Sequence, residues 1–174
     1  ENFKILNYTI IDRNIFDHCF VTSPFVKRIL GKYHMFYTSG KFLNKNHLKY
    51  NSIVKIATSR NLVDWSLENK VFFDKHKTNT RVTIEKFNNF YLTFKCCDIG
   101  RGYFLKYSLY DKNLKFIISK NLDKKLFNKD WHNLSQCYPY IIKVNSKEFI
   151  VLYNGNENGK LGIGILKGKI ITNK

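Results

Sequence analysis

The chain has 174 residues, of which 44% are hydrophobic and 16% aromatic, and it carries a formal net charge of +17. This composition excludes an intrinsically disordered chain, and no apolar run is long enough to cross a membrane as a helix. The lysines are spread along the chain without a long basic run. They therefore favour a solubilising surface over nucleic-acid binding, with attraction of an anionic ligand as a secondary effect.

β-Branched and aromatic runs, separated by short polar turns, fill the first part of the chain. They predict a strand at 3–12 and then a round of strands at 22–29, 33–40, 50–59 and 62–74. Glycine and asparagine mark the turns, as expected for antiparallel hairpins. We interpret the strand at 3–12 as part of a preceding unit.

The same layout occurs twice more along the chain. The second round predicts strands at 80–87, 90–97, 103–110 and 112–118. The third round predicts strands at 138–144, 149–153 and 161–166. Pro24, Val82 and Pro139 hold equivalent positions in the three rounds. Gly162 and Gly164 alternate in the last strand, which predicts that another group packs very close to the backbone there.

A repeat of about 50 residues with up to four strands per unit is typical of a β-propeller blade. Almost no segment has helical periodicity. We therefore predict an all-β fold that forms a partial propeller of about three four-stranded blades. Their approximate bounds are 18–74, 78–118 and 131–171, and 1–13 supplies a strand of a preceding blade.

Three segments carry a resemblance to a known family: TSPFVKRILGKYHMFYTSG, YNSIVKIATSRNLVDW and CYPYIIKVNSKEFIVLYNGNENGKLGIGI. They resemble the five-bladed β-propellers of the glycoside hydrolase 32/43 type. More narrowly, they resemble the propeller of bacterial surface-polysaccharide gene clusters and the N-terminal domain of plant glucosamine inositolphosphorylceramide transferases. The resemblance implies five blades around a central funnel that faces a sugar.

The number of blades departs from that family, because three blades cannot close a five-bladed ring. Open strand edges would remain and would favour aggregation. We therefore expect the chain to be a fragment of a longer propeller, or to pair with another chain or domain that completes it.

The acidic residues depart from the family as well. The resemblance implies an Asp directly after Trp131 and a Glu shortly before Cys137, where this chain has His132 and Ser135. It also implies an acid ahead of an Arg-Pro pair, where this chain has Arg81-Val82 preceded by no nearby carboxylate. Glycoside hydrolysis uses two carboxylates. The family resemblance thus points to a degenerate or non-catalytic version, although enzymatic activity stays open.

Several side chains remain as site candidates. For catalysis they are Asp17, Asp98 and His132, although a protonated imidazole has the wrong sign to stabilise an oxocarbenium-like transition state. For ligand binding they are Arg81, His18, Tyr138 and Asn154. Asp17 and His18 either contact sugar or lie in a solvated loop, and Asp98 either contacts ligand or caps a loop. Arg81 either pairs with a carboxylate across the funnel or holds an anionic sugar.

The cysteines and histidines predict no metal site. Cys19, Cys96, Cys97 and Cys137 contain no CxxC pair, and the five histidines are scattered at spacings that suit no local site. We expect free, buried thiols, no cofactor and a cytoplasmic location.

Three functions are compatible with these patterns. The first is a carbohydrate-binding or carbohydrate-processing propeller that acts in surface-polysaccharide metabolism. The second is a scaffold or accessory domain of a larger glycosyl- or formyl-transferase. The third is nucleic-acid binding through the +17 charge, which would show a steep dependence on salt.

Overall fold

The computed structural model describes residues 9–13, 19–43, 50–72, 79–98 and 102–171. These residues form eleven β-strands in three antiparallel sheets, in which strands consecutive in sequence pair with one another. The first sheet contains β1 (Phe20–Ile29), β2 (Lys32–Phe42), β3 (Tyr50–Ser59) and β4 (Ser66–Val71). The second contains β5 (Asn79–Phe87), β6 (Phe90–Asp98), β7 (Tyr103–Asp111) and β8 (Phe116–Asn121). The third contains β9 (Cys137–Lys143), β10 (Glu148–Asn154) and β11 (Ile163–Lys169).

The predicted all-β fold class is confirmed, and each sheet corresponds to one round of the sequence repeat. The described residues contain two short 3₁₀ turns, Lys124–Leu126 and Glu157–Gly159. Most of the predicted strand at 3–12 lies outside the described residues, and residues 9–13 contain no strand.

Three predicted strands begin later than expected: β4, β8 and β11. For β4 and β8 the reason is that side chains fold the preceding segment into turns. Asn61 Oδ1 accepts hydrogen bonds from the backbone N–H groups of Val63 and Asp64, at 3.0 and 2.9 Å, so β4 begins only after this turn. Asp111 Oδ1 accepts from the N–H groups of Asn113 and Lys115, both at 2.8 Å, ahead of β8. Such turns satisfy the backbone locally and delay its entry into a sheet.

The sheets pack in sequence order, with the first strand of one sheet on the face of the sheet before it. β5 contacts β1, β2 and β3, and β9 contacts β5, β6 and β7. We call β1, β5 and β9 the inner strands. Each interface is an apolar core, and burial of each large side chain contributes about 1.5–3 kcal/mol. The first core includes Phe36, Val54, Ile84 and Tyr91, and the second includes Phe87, Phe94, Ile141 and Val151.

Each inner strand carries a β-bulge at the same place in the repeat. The register shifts between Thr22 and Phe25 in β1, between Thr80 and Thr83 in β5, and between Cys137 and Tyr140 in β9. The first bulged residue has a positive φ in every case: +54° at Ser23, +52° at Arg81 and +54° at Tyr138. The second bulged residues are Pro24, Val82 and Pro139, which are the three positions that the sequence repeat aligns.

Candidate functional site

The three bulges single out one end of the inner strands. A non-glycine residue with positive φ costs about 1–3 kcal/mol and persists only where the surroundings hold it, which is common at functional sites. Here the same strained conformation recurs at Ser23, Arg81 and Tyr138. Bulges also redirect side chains and are frequent near binding sites. The recurrence makes this end of the sheets the first place to search for a site.

Arg81 and Tyr138 meet at this end, across the interface between the second and third sheets. The Arg81 guanidinium carbon lies 3.2 Å from the centroid of the Tyr138 ring, which is a cation–π contact. The Arg81 backbone N–H donates to Thr38 Oγ1 at 3.3 Å, and that hydroxyl lies 3.0 Å from Thr80 Oγ1. Two of the ligand-binding candidates, Arg81 of the middle round and Tyr138 of the last round, are therefore brought together.

A cavity of about 140 Å³ lies beside the pair. In addition to Arg81 and Tyr138 it is lined by Thr80, Cys96, Tyr103, Cys137 and Asn158. The Tyr138 N–H donates to Cys96 Sγ at 3.2 Å, and the Cys137 thiol donates to Asn158 Oδ1 at 3.7 Å. Burial raises the pKa of the Cys96 thiol, and burial raises the pKa of Cys137 to about 11 although the nearby Arg81 opposes that shift. Both thiols are therefore neutral near pH 7.

His132 lies in a separate packed cluster of rings. It is only 6% exposed, its Nδ1 is joined to the Tyr153 hydroxyl by a 2.6 Å hydrogen bond, and Trp131 stacks on it at 4.0 Å between ring centroids. Burial lowers the pKa of His132, and the charge of Lys129 lowers it further. A neutral imidazole enclosed by aromatic rings braces the segment between the second and third sheets.

The remaining sequence candidates are dispersed. Asp17 and His18 lie outside the described residues. Asp98 ends β6 opposite Tyr103, which places it next to the cavity lining. Asn154 ends β10, and its amide donates to the Asn158 carbonyl oxygen at 3.0 Å, so it braces a turn.

Sequence reasoning missed Thr80, Tyr103 and Asn158 as part of the cavity lining. The available signal for the bulges was proline inside two predicted strands, at Pro24 and Pro139, since a proline lacks the N–H that a sheet ladder needs. Val82 holds the equivalent position in the middle round. The cysteines were predicted as free thiols. All four are free, but only Cys96 and Cys137 are buried, whereas Cys19 and Cys97 are half-buried.

A larger cavity of about 580 Å³ lies between the first two sheets, at the opposite end of β1 from Ser23. Its lining includes Leu30, Phe72 and Phe116, with His34, Glu68 and Tyr110 as its ionisable groups. The residues that the sequence selected do not line it, so we place the candidate site at the smaller cavity.

No model of a known protein family and no characterised protein matches the sequence, whereas solved structures match the fold. A glycosyl hydrolase from Bacteroides ovatus is 14% identical with a TM-score of 0.63, and the match covers 87% of this chain and 49% of that chain. Zg3597, a family 117 glycoside hydrolase from Zobellia galactanivorans, is 16% identical with a TM-score of 0.61 over 91% of this chain and 54% of that one.

A β-1,2-mannobiose phosphorylase from Listeria innocua, solved with β-1,2-mannobiose, is 14% identical with a TM-score of 0.58. That match covers 86% of this chain and 39% of that chain. Identities this low establish the fold alone. The chain spans about half the length, or less, of these structures, and its three sheets match that share of propeller-type glycoside hydrolase chains.

Two further observations concern metal ions and membrane helices. Within the described ranges, His, Cys, Asp and Glu side chains nowhere gather in threes as a metal ion would require. No helix in the part of the chain that the structure describes is long and apolar enough to cross a membrane.

Proposed function

We propose that this chain binds carbohydrate at the Arg81–Tyr138 end of its inner strands and does not hydrolyse it. The observation that carries the proposal is the contact of the guanidinium of Arg81, a half-buried residue, with Tyr138, which is still 37% exposed. Aromatic rings present an apolar face and a polar tip, and guanidinium groups supply several donors in one plane. Together they suit the faces and hydroxyl groups of a sugar ring.

The chemistry of the lining supports binding without hydrolysis. Cleavage of a glycosidic bond uses two carboxylates, one as acid and one as base or nucleophile. Among the residues that the structure describes, the cavity lining contains neither Asp nor Glu. His132 stands where the family resemblance implies an Asp, but it is buried among rings.

The test compares two tyrosines that each contact an arginine. Tyr138→Ala should abolish binding of sugars, measured by saturation-transfer NMR with a panel of methyl glycosides and by affinity electrophoresis in capsule-type polysaccharides. Tyr33→Ala is the matched control, because Tyr33 lies 5.8 Å from the Arg28 guanidinium at the far end of β1. Hydrolysis of 4-nitrophenyl glycosides by the wild-type chain would contradict the non-catalytic part. Equal binding by both variants would contradict the location.

A second role is favoured by a different surface, the face of the third sheet that points away from the second. Its apolar side chains come from all three strands: Tyr140 and Ile142 from β9, Ile150 and Leu152 from β10, and Ile163 and Ile165 from β11. Ile163 is 74% exposed and Ile165 is 54% exposed.

We infer that this face receives the inner strand of a further blade, supplied by another chain or domain. The first and second sheets each receive the inner strand of the next sheet on the corresponding face, so the repeat itself defines the occupant. The measurement that checks it is the self-association of the chain alone, which a lysine on this face should reduce.

A further inference from the structure

The lining of the cavity is uneven in charge. Arg81 contributes a positive charge, and the other lining residues are neutral side chains: a threonine, two tyrosines, an asparagine and two thiols. Because burial keeps both thiols protonated, no thiolate neutralises the guanidinium. Asp98 ends β6 beside the lining residue Tyr103 but is not part of the lining, so the charge in the wall of this polar cavity favours an anion.

Among the residues that the structure describes, no carboxylate pairs with the Arg81 guanidinium. That group lies against the Tyr138 ring, whereas the Arg81 backbone N–H donates to the Thr38 hydroxyl. Lys27 shows the contrast, because its ammonium pairs with Glu85 at 2.6 Å across the first two sheets. A half-buried charge without a counter-charge loses part of its hydration. Pairing with an incoming anion would offset the free-energy cost of that loss.

The stacking leaves Arg81 able to bind. A guanidinium lying over a ring keeps its N–H groups in its own plane, where they can form paired hydrogen bonds to a carboxylate, sulfate or phosphate. Arg81 lies over one face of the Tyr138 ring, while 37% of the surface of Tyr138 stays exposed. Arg81 is thus suited to bind the charged group of a ligand, and Tyr138 is suited to contact its sugar ring.

The size of the cavity is compatible with a charged substituent. A volume of about 140 Å³ accommodates an oxyanion group and its first waters. The sugar ring that carries this group would contact Tyr138.

We propose that the glycan recognised at this site carries an oxyanion substituent, such as a uronic carboxylate, a sulfate ester or a phosphate ester, which binds to Arg81. This inference rests on the proposed carbohydrate binding and adds the class of sugar. The net charge of +17 attracts any polyanion from a distance, so the selectivity is assigned to Arg81 and not to the overall charge.

The test uses wild-type protein and matched sugars. Methyl α-D-glucuronide should bind at least about tenfold more tightly than methyl α-D-glucoside in 150 mM salt, as expected for one charge-assisted hydrogen-bonded pair. Glucose 6-sulfate and glucose 6-phosphate distinguish the kinds of oxyanion, and inorganic sulfate and phosphate show whether the sugar is needed. Isothermal titration or NMR titration gives the affinities.

Variants test whether Arg81 causes the preference for the glucuronide over the glucoside. Arg81→Gln should reduce binding of the glucuronide to the level of the glucoside, and Arg81→Lys should recover only part of it, because an ammonium cannot form the paired hydrogen bonds. Arg28→Gln removes the same charge at the distant Arg28–Tyr33 pair and should leave the selectivity unchanged. Melting curves check that each variant is folded.

The outcomes separate this inference from the proposed function. Equal binding of glucuronide and glucoside by the wild-type chain overturns the anionic class and leaves carbohydrate binding intact. Selectivity that survives Arg81→Gln, or that Arg28→Gln removes equally, overturns the assignment to Arg81. Binding of inorganic sulfate or phosphate as tight as that of the sugars overturns the sugar part. Binding of none of the sugars contradicts the proposed function itself. The wild-type comparison decides the class even if a variant fails to fold.

Discussion

At the scale of single residues, His132 gives the chain a defined dependence on pH. Its environment of Trp131, Phe127 and Tyr153 favours the neutral imidazole, and burial lowers its pKa below the ordinary value of about 6.5. Between the lowered pKa of His132 in the folded chain and its ordinary pKa, the unfolded chain therefore binds a proton at His132 that the folded chain does not bind. Stability contributed in this way is complete above pH 6.5 and is lost as the pH falls toward the lowered pKa of the folded state.

We predict that the free energy of unfolding decreases between pH 7.5 and 5.5, and that His132→Gln decreases this pH dependence. Urea unfolding at the two pH values measures the effect. An NMR titration of the His132 ring protons, assigned with the same variant, should give a midpoint below 6.5. A midpoint above 6.5, or an equal pH dependence in both proteins, would contradict the account.

The residues of the candidate site differ in how far the sequence could reveal them. Arg81 and Tyr138 were selectable because each stands before the aligned position of an inner strand, where the family resemblance expects a sugar-facing funnel. Thr80, Cys96 and Asn158 were not, since they join the site through contacts between sheets and a turn. The strand repeat contains no information about such contacts until the sheets are packed.

At the scale of elements, the alternation of side chains located the strands but not all of their ends. β3 and β5 to β7 fall within one residue of their predicted bounds, because apolar alternation persists to the turn. β4 and β8 begin later, where Asn61 and Asp111 bind backbone N–H groups before the strand starts. Hydrogen bonds from a side chain to its own turn do not disturb the hydrophobic pattern, so periodicity alone misplaces those boundaries.

The glycines of β11 support the element-scale prediction that a group packs against the backbone. A Cβ atom added at Gly164 would lie 2.5 Å from the Tyr153 hydroxyl oxygen and 2.6 Å from Trp131 Cη2. We predict that Gly164→Ala destabilises the chain by roughly 1–3 kcal/mol, the usual cost of overpacking. Urea unfolding measures the change.

The control for that substitution is Lys167→Ala, an exposed position on the same strand, which should change stability by less than about 0.5 kcal/mol. Since Trp131 and Tyr153 also stack with His132, Gly164→Ala should shift the ring-proton signals of His132 as well. Unchanged stability and unchanged His132 signals would mean that Trp131 and Tyr153 do not pack closely against Gly164.

At the scale of the whole molecule, the open face of the third sheet sets how the chain behaves alone. Contiguous exposed apolar patches on soluble proteins commonly mark an interaction surface, and they promote association when left uncovered. On the first and second sheets the corresponding face is covered by the inner strand of the next sheet. The described residues supply no equivalent cover for Ile163 and Ile165.

We predict that the isolated chain self-associates at micromolar concentration and that Ile165→Lys shifts it toward monomer, because a lysine on the patch opposes apolar contact and adds repulsion to a chain of charge +17. Sedimentation velocity over a range of concentrations measures this. Ile117→Lys is the matched control, since Ile117 is 55% exposed on β8, away from the third sheet. If both lysine variants behave alike, net charge alone explains the change and the face has no special role. If Ile165→Lys alone acts, a blade-like partner should bind the wild-type chain and not this variant.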